Sequence, residues 1–195
     1  MKLTFILISI TLVCIFIFIS RCSNIVKLNK DNRAPLESFY DLEANDIDGN
    51  PISMSKYKDK KILIVNVASK CGYTPQYKEL QQLNNDYKDK LHILAFPSND
   101  FLGQEPGTNN EIKSFCEVNF GVKFDIFEKI SVKGKNIHSI YDWLSDKNKN
   151  GWNNQAPTWN FSKYLINEKG ELIGLWGPKI SPLSNEIISK INKSY

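Results

Sequence analysis

The chain has 195 residues, of which 42% are hydrophobic and 24% charged, with a net charge of +4. That is the composition of an ordinary globular domain, long enough to bury a substantial core. The positive excess is small and dispersed, and no basic run is interleaved with aromatics, which argues against nucleic acid as a partner.

The N-terminus is a separate object. From Leu3 to Ser20 the chain carries no charge, with Lys2 before the stretch and Arg21 after it. This suits a secretory signal peptide with Ser20 and Cys22 ahead of a cleavage point, or an uncleaved membrane anchor, over residues 1–22. The basic, polar and unpatterned residues 23–35 read as a linker or transit segment, leaving 36–195 as the folded domain. The two parts together resemble a bipartite leader that sends proteins along the secretory route to a plastid. Membrane-anchored and cytoplasmic destinations stay open.

Cysteine usage narrows the chemistry. Of four cysteines, Cys14 and Cys22 lie in the leader and only Cys71 and Cys116 in the body, too few for a disulfide scaffold. With His92 and His138 as the sole histidines, zinc-ligand spacing is absent, and neither metal nor cofactor is expected.

Residues 38–57 alternate and turn at Asp48-Gly49-Asn50, which predicts an N-terminal hairpin. KILIVNVA (61–68) is a continuous apolar run of strand length, as expected for a strand buried on both faces. Pro75 then fits a first helical turn, with Tyr77, Leu80, Leu83 and Tyr87 on one apolar face. LHILAF (91–96) predicts a second buried strand, and the Gly/Pro-rich segment after it a loop. Ile112, Phe115, Cys116 and Phe120 mark an amphipathic helix ended by Gly121. HSIYDWLSD reads as a further helix, FSKYLINEKGELIGLW as two strands joined at 167–170, and a last helix begins near Pro182. The main order β-α-β-α-β-β-α predicts a three-layer α/β domain with a central mixed sheet.

Cys71 is expected at the exit of a buried strand and in the first turn of a helix. Unpaired backbone amides and the positive end of the helix dipole favour a thiolate there, and Lys70 adds charge of the right sign. Buried cysteines are usually inert, but Ser-Lys before Cys71 and Gly-Tyr-Thr after it make a poor core environment. In a Cys-x-x-Cys oxidoreductase a second thiol resolves the mixed disulfide; here Thr74 holds that place. The oxidised form of Cys71 must therefore wait, most naturally as the sulfenic acid made by attack on a peroxide.

NVASKCGYT, FPSNDFLGQEPG and WNFSKYLI resemble, in the same order, three signature stretches of the glutathione peroxidases. The resemblance runs from about Phe39 to the C-terminus and implies a thioredoxin fold with additional elements. It implies Cys71 as the peroxidatic residue, with Gln104, Trp159 and Asn160 completing the catalytic set. Amides and an indole N–H suit that role, since they donate to an anion and stay neutral at any relevant pH. Asp100 and Ser98 depart from the usual pattern, and a carboxylate beside the site would oppose a thiolate by like-charge repulsion.

Cys116 falls where the two-cysteine, thioredoxin-dependent branch carries its resolving cysteine; the other reading is a core cysteine on an apolar helix face. The resemblance further implies hydrogen peroxide and organic or lipid hydroperoxides as substrates, and thioredoxin or glutathione as reductant. The short segment between Ile130 and Trp159 implies a monomer or weak dimer. A thiol relay that oxidises a partner protein is the alternative function. Asn160-Phe161-Ser162 and Asn192-Lys193-Ser194 are N-glycosylation patterns, and a glycan on Asn160 would fill the expected site.

Overall fold

The computed structural model describes residues 25–195, so the leader expected over 1–22 lies outside the described residues. A six-stranded sheet has the order β1 (Val26–Leu28), β8 (Leu172–Trp176), β7 (Lys163–Ile166), β4 (Lys61–Val67), β5 (Leu91–Pro97) and β6 (Asp125–Ile126). β4, β5 and β6 run parallel, whereas β4–β7, β7–β8 and β1–β8 are antiparallel. The expected mixed sheet is present.

β4 is buried along its whole length, and its alternation divides the core in two. Leu63, Val65 and Val67 point to one face, covered by α1 (Gln76–Tyr87), α2 (Asn109–Phe120) and α5 (Asn185–Asn192) through Leu80, Leu83, Ile112, Cys116, Ile187 and Ile191. Ile62 and Ile64 point to the other face, covered by α3 (Ser139–Ser145) through Ile140, Trp143 and Leu144. A short α4 (Lys147–Asn150) follows α3. Each fully buried aliphatic side chain contributes about 1.5–3 kcal/mol, so β4 anchors both halves of the core.

The hairpin forms as expected from β2 (Glu43–Asn45) and β3 (Pro51–Ser53), a separate two-stranded sheet. Its turn is held by Asp46 Oδ1, which accepts from the amides of Asp48 and Asn50, with Gly49 at φ +87°. That φ favours a residue without Cβ.

The basic, polar and unpatterned segment 23–35 reads as a linker or transit segment, and the structure describes it from residue 25 on. In the structure Val26, Lys27 and Leu28 pair with Trp176, Leu175 and Gly174, which adds an edge strand to the sheet. The following segment is also docked: the amides of Leu36 and Glu37 donate to the Lys149 carbonyl. Gly151 sits so close that a Cβ would lie 2.2 Å from the Ala34 oxygen. An edge strand needs one partner, and the short apolar signal of Ile25, Val26 and Leu28 is diluted by the polar residues that follow, although Ile25 and Leu28 pack on the two halves of the core.

Helix α1 begins later than expected. Pro75 is its N-cap rather than a residue of the first turn, and 71–75 form consecutive turns in which Thr74 N–H donates to Cys71 O and Gln76 N–H to Tyr73 O. The expectation that Cys71 lies in the first turn of the helix is corrected accordingly. No helix among the described residues is long and apolar enough to cross a membrane.

Candidate active site

The carboxyl end of β4 delivers Cys71 to the rim of the sheet. Its side chain is only 7% exposed, and its Sγ accepts a hydrogen bond from the Tyr73 amide at 3.4 Å. Thr74, which replaces a second cysteine, has a structural task. Its hydroxyl donates to Ala68 O at 2.8 Å and accepts from the Cys71 amide at 3.1 Å, which stitches the turn shut.

Gln104 reaches the same rim from the loop after β5. Its carbonyl accepts from the amide of Lys70 at 3.0 Å, which ties it to the residue before Cys71. Its side-chain Oε1 accepts from Asn160 Nδ2 at 2.9 Å. Asn160 is fully buried, and its Oδ1 is left without a partner. An orphaned buried acceptor is uncommon. The two amides are bonded to each other, and the Cys71 thiol takes its hydrogen bond from the backbone.

Trp159 and Asn160 are aimed by their neighbours. Asn66, a fully buried polar residue in β4, donates from Nδ2 to Trp159 O at 3.0 Å and accepts at Oδ1 from Ser162 N–H. Phe161 sits at φ +64°, a left-handed conformation that costs an aromatic residue about 1–2 kcal/mol. Its amide bonds Asn66 O at 2.6 Å, and its ring is buried edge-on against Tyr77 at 5.5 Å. Strain is thus stored between Asn160 and Ser162 and held by β4. The Trp159 indole packs on Phe101 at 5.5 Å, and Lys133 Nζ lies 4.2 Å from that ring.

Sequence reading did not single out Asn66, although an asparagine inside KILIVNVA was the available signal. Asp100 does not act as a free charge beside the thiol. Its oxygens accept from Ser131 Oγ at 3.0 and 3.2 Å and from Val132 N–H at 2.7 Å, so the carboxylate anchors the next loop. Ser98 is fully buried beneath it.

Cys116 is set in the interior of α2, fully buried, and both cysteines are free thiols. Burial is the main reason its thiol is pushed up to about 11, with Glu105 and Glu117 adding to the effect and Tyr77 opposing it. The Tyr77 hydroxyl lies near enough to influence that thiol yet makes no hydrogen bond of ordinary geometry. Cys71, Tyr77 and Cys116 belong to one apolar cluster.

A cleft of about 360 Å³ opens between the two cysteine-bearing segments, lined by Ser69, Lys70, Glu105 and Pro106 on one side and by Ile112 and Phe115 on the other. Glu105 is fully buried in its wall. Oε1 accepts from Ser69 Oγ at 2.6 Å, and Oε2 has no partner. Burial raises the pKa of this carboxyl, against the opposing pull of Ser69, Lys129 and Lys70. No cluster of metal-ligating residues occurs among the described residues.

Residues 39–145 match the family model described as glutathione peroxidase. A glutathione peroxidase homolog BsaA of Halalkalibacterium halodurans is 46% identical over 147 residues, covering 75% of this chain and 93% of that protein. The glutathione peroxidase-like peroxiredoxin 2 of Saccharomyces cerevisiae is 44% identical over 159 residues, covering 80% of this chain and 98% of that protein. Among solved structures, T. cruzi GPX1 superposes with a TM-score of 0.61 at 33% identity, over 79% of this chain and 93% of that one. A thioredoxin-family thiol:disulfide interchange protein from Chlorobium tepidum shares the fold alone, at 15% identity and a TM-score of 0.55 over 82% of this chain and 94% of that one. The domain has the thioredoxin fold, and the chain belongs to the glutathione peroxidase family.

Proposed function

We propose that this protein is a thiol peroxidase that reduces hydroperoxides through Cys71 and is resolved by Cys116. The observation that carries the reading is the Gln104–Asn160 amide pair, half-buried at Gln104 and fully buried at Asn160, and held to the Cys71 loop through Lys70. The Cys71 thiolate attacks one peroxide oxygen, the O–O bond breaks, and the second oxygen leaves as water or an alcohol after gaining a proton. Gln104, Asn160 and the Trp159 indole N–H are the neutral donors that stabilise the charge moving onto oxygen.

Thr74 supplies no second thiol and is committed to the turn, so Cys71 sulfenic acid has to be resolved from elsewhere. Cys116 is the only other cysteine of the described residues. Its attack gives a disulfide for thioredoxin to reduce; glutathione is the competing reductant. Lipid hydroperoxides are proposed as substrates beside hydrogen peroxide, and the protein as a monomer or weak dimer. Its leader directs it along the secretory route, with a plastid as one destination.

One observation favours the alternative of a redox relay. A resolving thiol buried in a helix leaves the sulfenic acid exposed to attack by a partner's thiol for longer. Peroxide loss coupled to NADPH decides between these readings. Sustained turnover with thioredoxin and its reductase, exceeding that with glutathione and its reductase, is the expected result. A single stoichiometric burst with either system would replace the peroxidase by the relay.

A further inference from the structure

Resolution of a sulfenic acid by a buried thiol raises a proton problem. The attacking species is the thiolate, yet Cys116 is fully buried in α2 and its thiol holds its proton strongly. Its proton has to go somewhere before the sulfur attacks. The cleft between the two cysteine-bearing segments offers one group of the right kind.

Glu105 forms part of the wall on the Cys71 side, and Ile112 and Phe115 of α2 form the facing wall. The cleft lies between the residues next to each sulfur, Lys70 before Cys71 and Phe115 before Cys116. Glu105 stays in place as α2 moves, because three contacts outside the helix hold it and a fourth fixes Gly107 nearby. Ser69 Oγ donates to Oε1, the Glu105 amide donates to Asn99 Oδ1 at 2.9 Å, and Lys129 Nζ binds the carbonyls of Glu105 and Gly107. Oε2 is buried and unpartnered. A carboxylate oxygen in that state is poorly stabilised as an anion and gains by accepting a proton. The charge of Glu105 also reaches Cys116 and Tyr77, raising both, so the three groups are electrostatically coupled.

We propose that Glu105 is the proton acceptor of the resolving step, taking the Cys116 thiol proton on Oε2 as α2 opens. The thiolate then attacks the Cys71 sulfenic sulfur. The S–S bond forms as the S–OH bond breaks; Cys116 sulfur is oxidised and Cys71 sulfur is reduced from the sulfenic level. Departing hydroxide recovers the proton from Glu105 and leaves as water, so the carboxylate is restored and no external oxidant is needed. This step rests on the reading of Cys116 as the resolving cysteine.

The charged and titratable groups around Glu105 are Lys70 and Lys129, whose charges oppose its protonation, with Glu111 in the same cleft and Cys116 and Tyr77 beyond it. The test follows both half-reactions in the full-length protein. Sulfenic acid formation and Cys71–Cys116 disulfide formation are timed by rapid quench and mass spectrometry from pH 5 to 9. Glu105→Gln keeps an acceptor for Ser69 but cannot take a proton. It should lower the ratio of resolving rate to peroxide-consuming rate by about 10²-fold and abolish the acid-side inflection in resolution. Ser69→Ala keeps the carboxylate but removes the bond that lowers its pKa, so the inflection should move to higher pH. An unchanged ratio and profile in Glu105→Gln, or an equal fall in both half-reactions, overturns the proposal. If that variant fails to fold, an unmoved inflection in Ser69→Ala overturns it. Absence of any Cys71–Cys116 disulfide in the wild type would remove the resolving role of Cys116 and this step together, whereas a disulfide formed at an unaltered rate removes Glu105 alone.

Discussion

The two cysteines are both buried free thiols of one apolar cluster, yet the backbone around them differs. Cys71 stands in a series of turns before α1, beside a backbone amide donor and a pair of neutral side-chain amides held to its loop. Cys116 lies inside a regular helix, fully buried, against a tyrosine that gives it no proper hydrogen bond. The first environment offers the sulfur a backbone donor at a place where the chain is irregular. The second withholds the anion until the helix is disturbed. Reactivity here follows from what the backbone offers each sulfur, since the residue type is the same.

The sharpest break of this comparison is Cys71→Ser. Peroxidase activity with either reductant should fall below a few per cent of wild type, because Cys116, held inside a helix with its thiol pKa raised, cannot supply an equivalent thiolate. NADPH-coupled peroxide loss measures it. Turnover that survived would mean that the buried thiol is reactive after all.

Asn160→Ala tests whether the amide pair belongs to the Cys71 environment. Loss of one donor aimed at developing charge costs about 10²-fold in kcat/KM for peroxide. Gln104→Ala should cost a similar factor, and the double variant much less than the product, since the two side chains are bonded to each other. Strict additivity would show that they act independently. Asn160 is also fully buried, so its glycosylation pattern should stay unmodified in active protein, whereas the exposed Asn192 is open to modification.

The sequence made part of this comparison visible. β4 and β5 could be read because an apolar run bounded by turn residues suffices to define a strand with both faces covered. Three linear motifs single out Cys71, Gln104, Trp159 and Asn160 as candidate site residues. Asn66 is not singled out, although it aims Trp159 and Ser162, because its partners are some 90 positions away in the chain and no periodicity records them. The same reason hides Glu105. Its motif was legible, but burial and an unpartnered oxygen arise only when Ser69 and α2 come together. β1 was missed because Ile25, Val26 and Leu28 are too short an apolar signal beside the polar residues that follow, although Ile25 and Leu28 pack against the two halves of the core.

Alkaline pH should expose the buried state of Cys116 as a stability effect. Its folded pKa is pushed up to about 11, while in the unfolded chain the thiol takes its ordinary value near 8.5. Between these values the unfolded state binds fewer protons, so stability falls as pH rises. At 1.36 kcal/mol per unit the loss approaches about 3 kcal/mol by the top of the window. The buried tyrosines Tyr77, Tyr141 and Tyr164 slope the same way, so the readout is the difference between wild type and Cys116→Ala. Urea unfolding at several pH values above 8 should show a flatter decline in the variant. Parallel curves would mean that Cys116 is no more protected than an exposed thiol.

The smallest effect decides which end of α2 opens. The N-terminal end is closed by a reciprocal capping box in which Thr108 and Glu111 satisfy each other's groups. The C-terminal end closes on Gly121 at φ +61°, whose amide donates to the carbonyls of Cys116 and Glu117. Cys116 lies in the last turn and a half, so release from that end breaks fewer bonds than release from the other. The cost is the Tyr77–Phe120 contact, with ring centroids at 5.2 Å. Thr108→Ala and Gly121→Ala should each destabilise the helix by about 1 kcal/mol, the first through a lost cap and the second through a strained left-handed alanine. If the C-terminal end opens, Gly121→Ala raises the rate of Cys71–Cys116 disulfide formation about fivefold and Thr108→Ala leaves it unchanged. Hydrogen exchange on the oxidised protein should then rise between Cys116 and Phe120 and stay low near Thr108. The reverse pattern would place the opening at the capping box, and equal acceleration by both variants would mean that the helix unfolds as a unit.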